Sequence, residues 1–215
     1  MPLEPPFSPQ RRLALAIFAA AAALPAQAAP RPRIVTVLGD SITAGLGLAA
    51  ADAFPARLQS GLARLGVAAV VRPAGVSGDT TAGGLARVEF SVQADTDLCL
   101  VALGGNDLLQ GLDPADVQRN LTKIVDRLKA RHIRVVLAGQ AAPASIGASY
   151  ARDFNAVFPA VAKAEGVTLY PSLLAGVGGN PALLQHDGIH PNAAGAAIIA
   201  QRLAPVLARS LAGPR

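Results

Sequence analysis

Tryptophan is absent from the 215 residues, and cysteine occurs once, at Cys99. A single thiol cannot form an internal bridge, so no disulfide framework supports this fold. It also excludes zinc fingers and protein-ligated iron–sulfur clusters, which need several thiolates at fixed spacing. The remaining aromatics, two Tyr and six Phe, are too few for a surface on which single-stranded nucleic acid could stack. Charge is scarce too: 15% of residues are Asp, Glu, Lys or Arg, and the formal net charge is +5. That excess is spread along the chain, without a run of about five or more basic residues, so no nucleic-acid partner is expected. Walker-type and dinucleotide-binding glycine patterns are missing as well. What is abundant is apolar: 52% of residues are hydrophobic, far too many for a disordered chain.

Part of that apolar content belongs to an address. Arg11 and Arg12 precede an unbroken apolar run from Leu13 to Leu24, followed by Pro25 and Ala26-Gln27-Ala28. A positive segment, a short apolar segment and a small-x-small site make a secretory signal peptide over residues 1–28. The run is too short for a bilayer span, which takes about 20 residues. The expectation is cleavage near Ala28, a mature domain over 29–215, a periplasmic or secreted location, and no stable membrane insertion once the leader is gone. In such a compartment Cys99, set within Leu98–Leu103, reads as a buried structural residue.

Apolar runs and helical periodicities alternate along the rest. Strands are predicted at Ile34–Leu38, Val67–Val71, Leu98–Leu103, Ile133–Ala138 and Val167–Tyr170. Helices are predicted at Phe54–Leu65, Thr80–Phe90, from Asp113-Pro114 onward, at Tyr150–Glu165, and at Ala193–Leu207 with Asn192 as its cap. The strands are apolar throughout rather than alternating, which marks strands buried on both faces. The expected fold class is therefore α/β: a three-layer α/β/α sandwich around a flavodoxin-like parallel five-stranded sheet.

Polar residues gather where the strands end. Gly39-Asp40-Ser41 follows the first, Pro73–Asp79 the second and Gly104-Gly105-Asn106-Asp107 the third; Asp187-Gly188-Ile189-His190-Pro191 stands near the C-terminus. A parallel sheet brings all four to one edge, where ligands bind in such folds. The set holds what nucleophilic acyl transfer requires: a hydroxyl (Ser41), a base (His190), a carboxylate to orient the base (Asp187), and oxyanion donors (Gly78 N–H and the Asn106 amide). Asp187 and His190 are only two potential metal ligands without a third nearby, so neither a metal nor any other cofactor is expected. His186 reads as a rim residue and His132 as a favourable charge at a helix C-terminus. Asp40 and Asp79 read as loop or cap residues. Asn120-Leu121-Thr122 matches a glycosylation acceptor but falls inside a predicted helix.

These four blocks resemble the SGNH hydrolase superfamily, the GDSL-type esterases, in particular its exported bacterial thioesterase/lysophospholipase-like and arylesterase branch. They occur in the family's order and span nearly the whole mature chain, with Ile42 in place of the Leu of the short name. The resemblance implies Ser41 as nucleophile, His190 as base and Asp187 as its orienter, with Ser41, Gly78 and Asn106 forming the oxyanion hole. It implies a hydrolase of carboxylic esters or thioesters acting on a small-molecule substrate. Pro73 departs from the pattern, since many relatives carry Asn there. Leu108, Leu109, Leu112, Pro143 and Tyr150 are candidate substrate-binding residues, or ordinary loop packing. The alternatives are a carbohydrate O-acetyl esterase with the same machinery, and an inactive binding protein. Neither a Gly-x-Ser-x-Gly elbow nor a late nucleophile supports an α/β-hydrolase. The sequence leaves the oligomeric state unspecified.

Overall fold

The computed structural model describes residues 31–213; the expected leader at 1–28 lies outside them. Five strands, β1 (Arg33–Gly39), β2 (Ala69–Gly75), β3 (Leu98–Ala102), β4 (Arg134–Ala138) and β5 (Thr168–Tyr170), form one sheet in the order β2-β1-β3-β4-β5. Every pairing is parallel. The helices are α1 (Ser41–Ala44), α2 (Phe54–Arg64), α3 (Thr81–Ser91), α4 (Gly105–Leu109), α5 (Pro114–Ala130), α6 (Ala148–Glu165) and α7 (Ala193–Ala212). This is the three-layer α/β/α sandwich expected from the alternation of apolar strands and amphipathic helices.

The period of two along each strand divides one apolar run between two cores. In β3, Leu98, Leu100 and Ala102 join Phe54, Leu58 and Leu62 of α2 and Ile199, Leu203 and Leu207 of α7. The intervening Cys99 and Val101 face the other way, into Val88 of α3, Leu121, Ile124 and Leu128 of α5 and Phe154 and Phe158 of α6. Both faces of the sheet are thus covered, which is why its strands carry no polar stripe. Burial pushes the Cys99 thiol up to about 12, so it stays protonated and inert.

Helix starts follow their local signals. The Asp113 carboxylate accepts from Ala115 N–H, with Pro114 as the first helical residue of α5. The Asn192 side chain accepts from both Ala194 and Gly195 N–H and opens α7. Thr80 is the N-cap of α3 rather than its first residue. His132 lies just beyond α5 with φ at +58°, its N–H bonded to Lys129 C=O.

β2 differs most from expectation: it starts at Ala69 and runs through Pro73 to Gly75, where the sequence predicts an end at Val71. Its place at the sheet's edge explains this. Val71 N–H points outward and donates to Gln59 Oε1 at 2.8 Å. Two residues on, the nitrogen of Pro73 lies on the same outer side, where the ladder needs no donor. The short helices α1 and α4 offer too few residues for any periodicity and were not predicted. Asn120 donates its side-chain amide to Thr81 Oγ1 at 3.2 Å, so this acceptor motif is committed to packing α5 against α3.

The sheet order reverses between β1 and β3, one neighbour of β1 being β2 and the other β3. This switch point opens a crevice beyond the strand ends, and the blocks that follow β1 and β3 flank it.

Candidate active site

Ser41 is the first residue after the β1 strand end and its Asp40 cap. The Asp40 carboxylate accepts from Ile42 N–H at 3.0 Å, and its carbonyl accepts the Thr43 hydroxyl at 2.8 Å. These bonds form the single helical turn that points Ser41 into the crevice. Asp40 is buried, and desolvation raises its carboxyl to about 6.

Ser41 Oγ lies 2.7 Å from His190 Nε2, and His190 Nδ1 lies 2.6 Å from Asp187 Oδ2. The second Asp187 oxygen accepts the backbone N–H of Ile189 at 2.9 Å and of His190 at 3.0 Å. The two backbone donors and the imidazole pull the Asp187 carboxyl down to about 2. Asp187 is therefore ionised, accepts the Nδ1 proton, and leaves Nε2 free to accept from the Ser41 hydroxyl. His186 is exposed and takes no part in this chain of contacts.

Across the crevice, Gly78 sits exposed in the loop after β2, with φ at +83°. Only glycine adopts that backbone freely, and a Cβ there would meet nothing within 4 Å, so the requirement is conformational rather than steric. Asn106, at the start of α4, donates one amide hydrogen to Asp79 C=O at 2.8 Å. Its amide has a second hydrogen to offer. The neighbouring Asp107 is buried and accepts Thr81 N–H and the Thr81 hydroxyl, locking α4 to α3.

Ser41, Gly78, Asn106 and His190 line one cleft of about 740 Å³. Of the candidate substrate contacts, Leu108, Leu109 and Pro143 lie on its wall. Leu112 and Tyr150 stand outside it: the Tyr150 hydroxyl donates to Leu112 C=O at 2.9 Å, and its ring stacks on Phe154. Their job in the fold is to tie the loop after α4 to the start of α6. The sequence reading did not single out Leu46, Gln140, Ala141, Ala142, Leu174 or Ile189, which complete much of the wall. Their only signal is position after a strand, beside a block or, for Ile189, within one. Among the described residues, no group of three or more His, Cys, Asp or Glu side chains is placed to hold a metal ion.

Residues 37–198 match the profile of the GDSL-like lipase/acylhydrolase family. The chain belongs to that family. It is 40% identical over 172 residues to esterase TesA of Pseudomonas aeruginosa, covering 80% of this chain and 86% of that protein. It is 37% identical over 157 residues to the thioesterase 1/protease 1/lysophospholipase L1 of Escherichia coli K12, covering 73% and 74% respectively. The crystal structure of AlinE4, an SGNH-hydrolase family esterase, superposes with a TM-score of 0.71 at 39% identity, covering 86% of this chain and all of that one (100%). All four blocks fall at the carboxyl ends of the strands or in the loop before α7.

Proposed function

We propose that this GDSL-family hydrolase cleaves carboxylic esters or thioesters through an acyl-enzyme on Ser41. The observation that carries the reading is the continuous chain of contacts from Ser41 Oγ through His190 to a carboxylate held ionised by two backbone N–H groups. His190 Nε2 takes the Ser41 proton as Oγ attacks the acyl carbon. The carbonyl oxygen becomes an oxyanion, accepting from Ser41 N–H, Gly78 N–H and the free hydrogen of the Asn106 amide. The imidazolium, steadied by Asp187, then gives its proton to the leaving alcohol or thiol. Water enters, gives its proton to Nε2, and attacks the acyl-enzyme; the acid leaves as Ser41 regains its proton.

The aliphatic wall of the cleft, with Leu46, Leu108, Leu109, Leu174 and Ile189, supports an apolar acyl group or leaving group. Among the described residues no Phe or Tyr ring lines it, which favours this substrate class over sugar acetates, whose rings stack on such side chains. The names of the relatives above, an esterase and a thioesterase/lysophospholipase, point the same way. Export through the leader at 1–28 belongs to the same reading; among the described residues no helix is long and apolar enough to cross a membrane. The test is Ser41→Ala on a short-chain aryl ester: a folded variant should lose turnover and labelling by a fluorophosphonate, and retained activity would refute the assignment.

A further inference from the structure

One side chain outside the four blocks touches two of them. Arg87, on α3, makes four hydrogen bonds with its guanidinium. Nε donates to Asp79 Oδ2 at 2.7 Å, and one terminal nitrogen donates to Ala74 C=O at 2.8 Å and to Ser91 Oγ at 3.0 Å. The other donates to Gly39 C=O at 2.9 Å. Gly39 closes β1 two residues before Ser41; Ala74 is the penultimate residue of β2; Asp79 follows Gly78 directly. The pair is sheltered, with side-chain exposures of 19% for Arg87 and 10% for Asp79.

The loop between these anchors has little else to hold it. Val76, Ser77 and Gly78 are exposed. Val76 N–H reaches the same Gly39 C=O at 3.1 Å, and Asp79 N–H closes a turn on Val76 C=O at 3.1 Å. Asn106 grips the Asp79 carbonyl, and Arg87 grips its carboxylate. A planar, permanently charged fork suits acceptors spread over three chain segments; a lysine ammonium is a single point and cannot span them. Gly83, one turn before Arg87, clears the space: a Cβ there would stand 1.8 Å from Asp79 Oδ1.

We infer that Arg87 is a positioning residue for acyl transfer, clamping Asp79 and the Gly39 and Ala74 carbonyls so that Gly78 N–H is held at a fixed distance from Ser41. It acts through the loop and touches no substrate. It also pairs the charge of the Asp79 carboxylate, which follows Gly78 directly in the chain. The inference rests on the roles of Ser41, Gly78 and Asn106 given above.

Variants at two positions test it independently. Arg87→Met removes the clamp. Gly83→Ala leaves Arg87 in place but pushes the Asp79 carboxylate aside, while raising the helix propensity of α3. Turnover of a short-chain aryl ester by each, with melting temperature and inhibition by an alkyl boronic acid (which mimics the tetrahedral adduct) and by the product acid, is compared with wild type and with Ser41→Ala. The expected result is a kcat lower by about 10- to 100-fold in Arg87→Met, a KM within about threefold, and a matching loss of boronic-acid affinity while product binding is unchanged. Arg87→Lys should recover only part of kcat. Folded Gly83→Ala should lose kcat with KM within about threefold and boronic-acid affinity falling in step, a pattern a purely structural role does not produce. The inference is overturned if folded Gly83→Ala and Arg87→Lys both keep kcat within about threefold, or if the loss lies entirely in KM. Should Arg87→Met fail to fold, those two variants decide alone. Activity surviving in Ser41→Ala would instead overturn the assignment of the site itself.

Discussion

Ser41 Oγ and His190 Nε2 stand 2.7 Å apart although 149 residues separate them in the chain. Asp187 and His190, by contrast, are three residues apart and meet within one loop. The hydroxyl–base contact is thus a product of the sheet, and the base–carboxylate contact is a product of local sequence.

The local half of that relay makes a sharp prediction. Asp187→Asn should keep the backbone contacts with Ile189 and His190 but present an amide to Nδ1, forcing the imidazole proton onto Nε2. His190 then cannot accept from Ser41. The kcat on an aryl ester should drop by about 10⁴, with the rate of fluorophosphonate labelling falling in step. A loss smaller than about tenfold would show that Asp187 does not set the tautomer.

Asn106→Ala removes a donor from the crevice and unties Asp79 C=O. Turnover should fall by about 10²–10³ with little change in KM, because the interaction matters most once charge develops on the acyl oxygen. Steady-state kinetics beside a thermal melt checks this; a change confined to KM would contradict it.

Asp40 carries a pH signature in stability. Its carboxyl is raised from 3.8 to about 6 by burial, so the folded state binds a proton that the unfolded chain does not between those values. That contribution favours folding below about 4, fades as pH rises through 6, and is absent at pH 8. Asp40→Asn keeps an oxygen for Ile42 N–H and carries no charge. Relative to wild type the variant should therefore gain stability from pH 4 to pH 8, by up to about 3 kcal/mol, in urea melts across that range. A wild-type-to-variant difference independent of pH would refute the assignment.

Chain-length preference should be adjustable from the wall. Ala141 is exposed and lines the cleft, and next to it the Asn155 amide holds both Ala142 N–H and C=O, at 2.7 and 3.0 Å. With that backbone fixed, Ala141→Leu adds its carbons to the cleft. The kcat/KM for a decanoyl ester should fall at least about tenfold relative to an acetyl ester. An unchanged ratio over the acyl series would place the acyl chain elsewhere.

Much of the fold was legible because its causes are local. Asp113-Pro114 and Asn192 start helices by hydrogen bonds that reach two or three residues, and β3 announces itself as an unbroken apolar run. The end of β2 was not legible: Pro73 argues for a stop until its outward-facing edge position is known. Leu112 and Tyr150 illustrate the same limit at the cleft. Apolar residues near a block look alike in sequence, and only packing separates Leu108 and Leu109, on the wall, from two residues that bond to each other behind it.

By itself the sequence determined the alternation of strand and helix, hence a parallel sheet, and with it the edge at which Ser41, Gly78, Asn106 and His190 gather. It also determined the Asp187–His190 pair, because three residues of loop suffice to close that contact. Only the tertiary structure decided that His190 reaches Ser41, which walls enclose the cleft, and that Arg87 binds Asp79, Ala74 and Gly39, partners 8, 13 and 48 residues away. The reason is physical: a helix cap or a turn is closed by neighbours along the chain. A guanidinium that spans three segments has no meaning until the sheet has set those segments side by side.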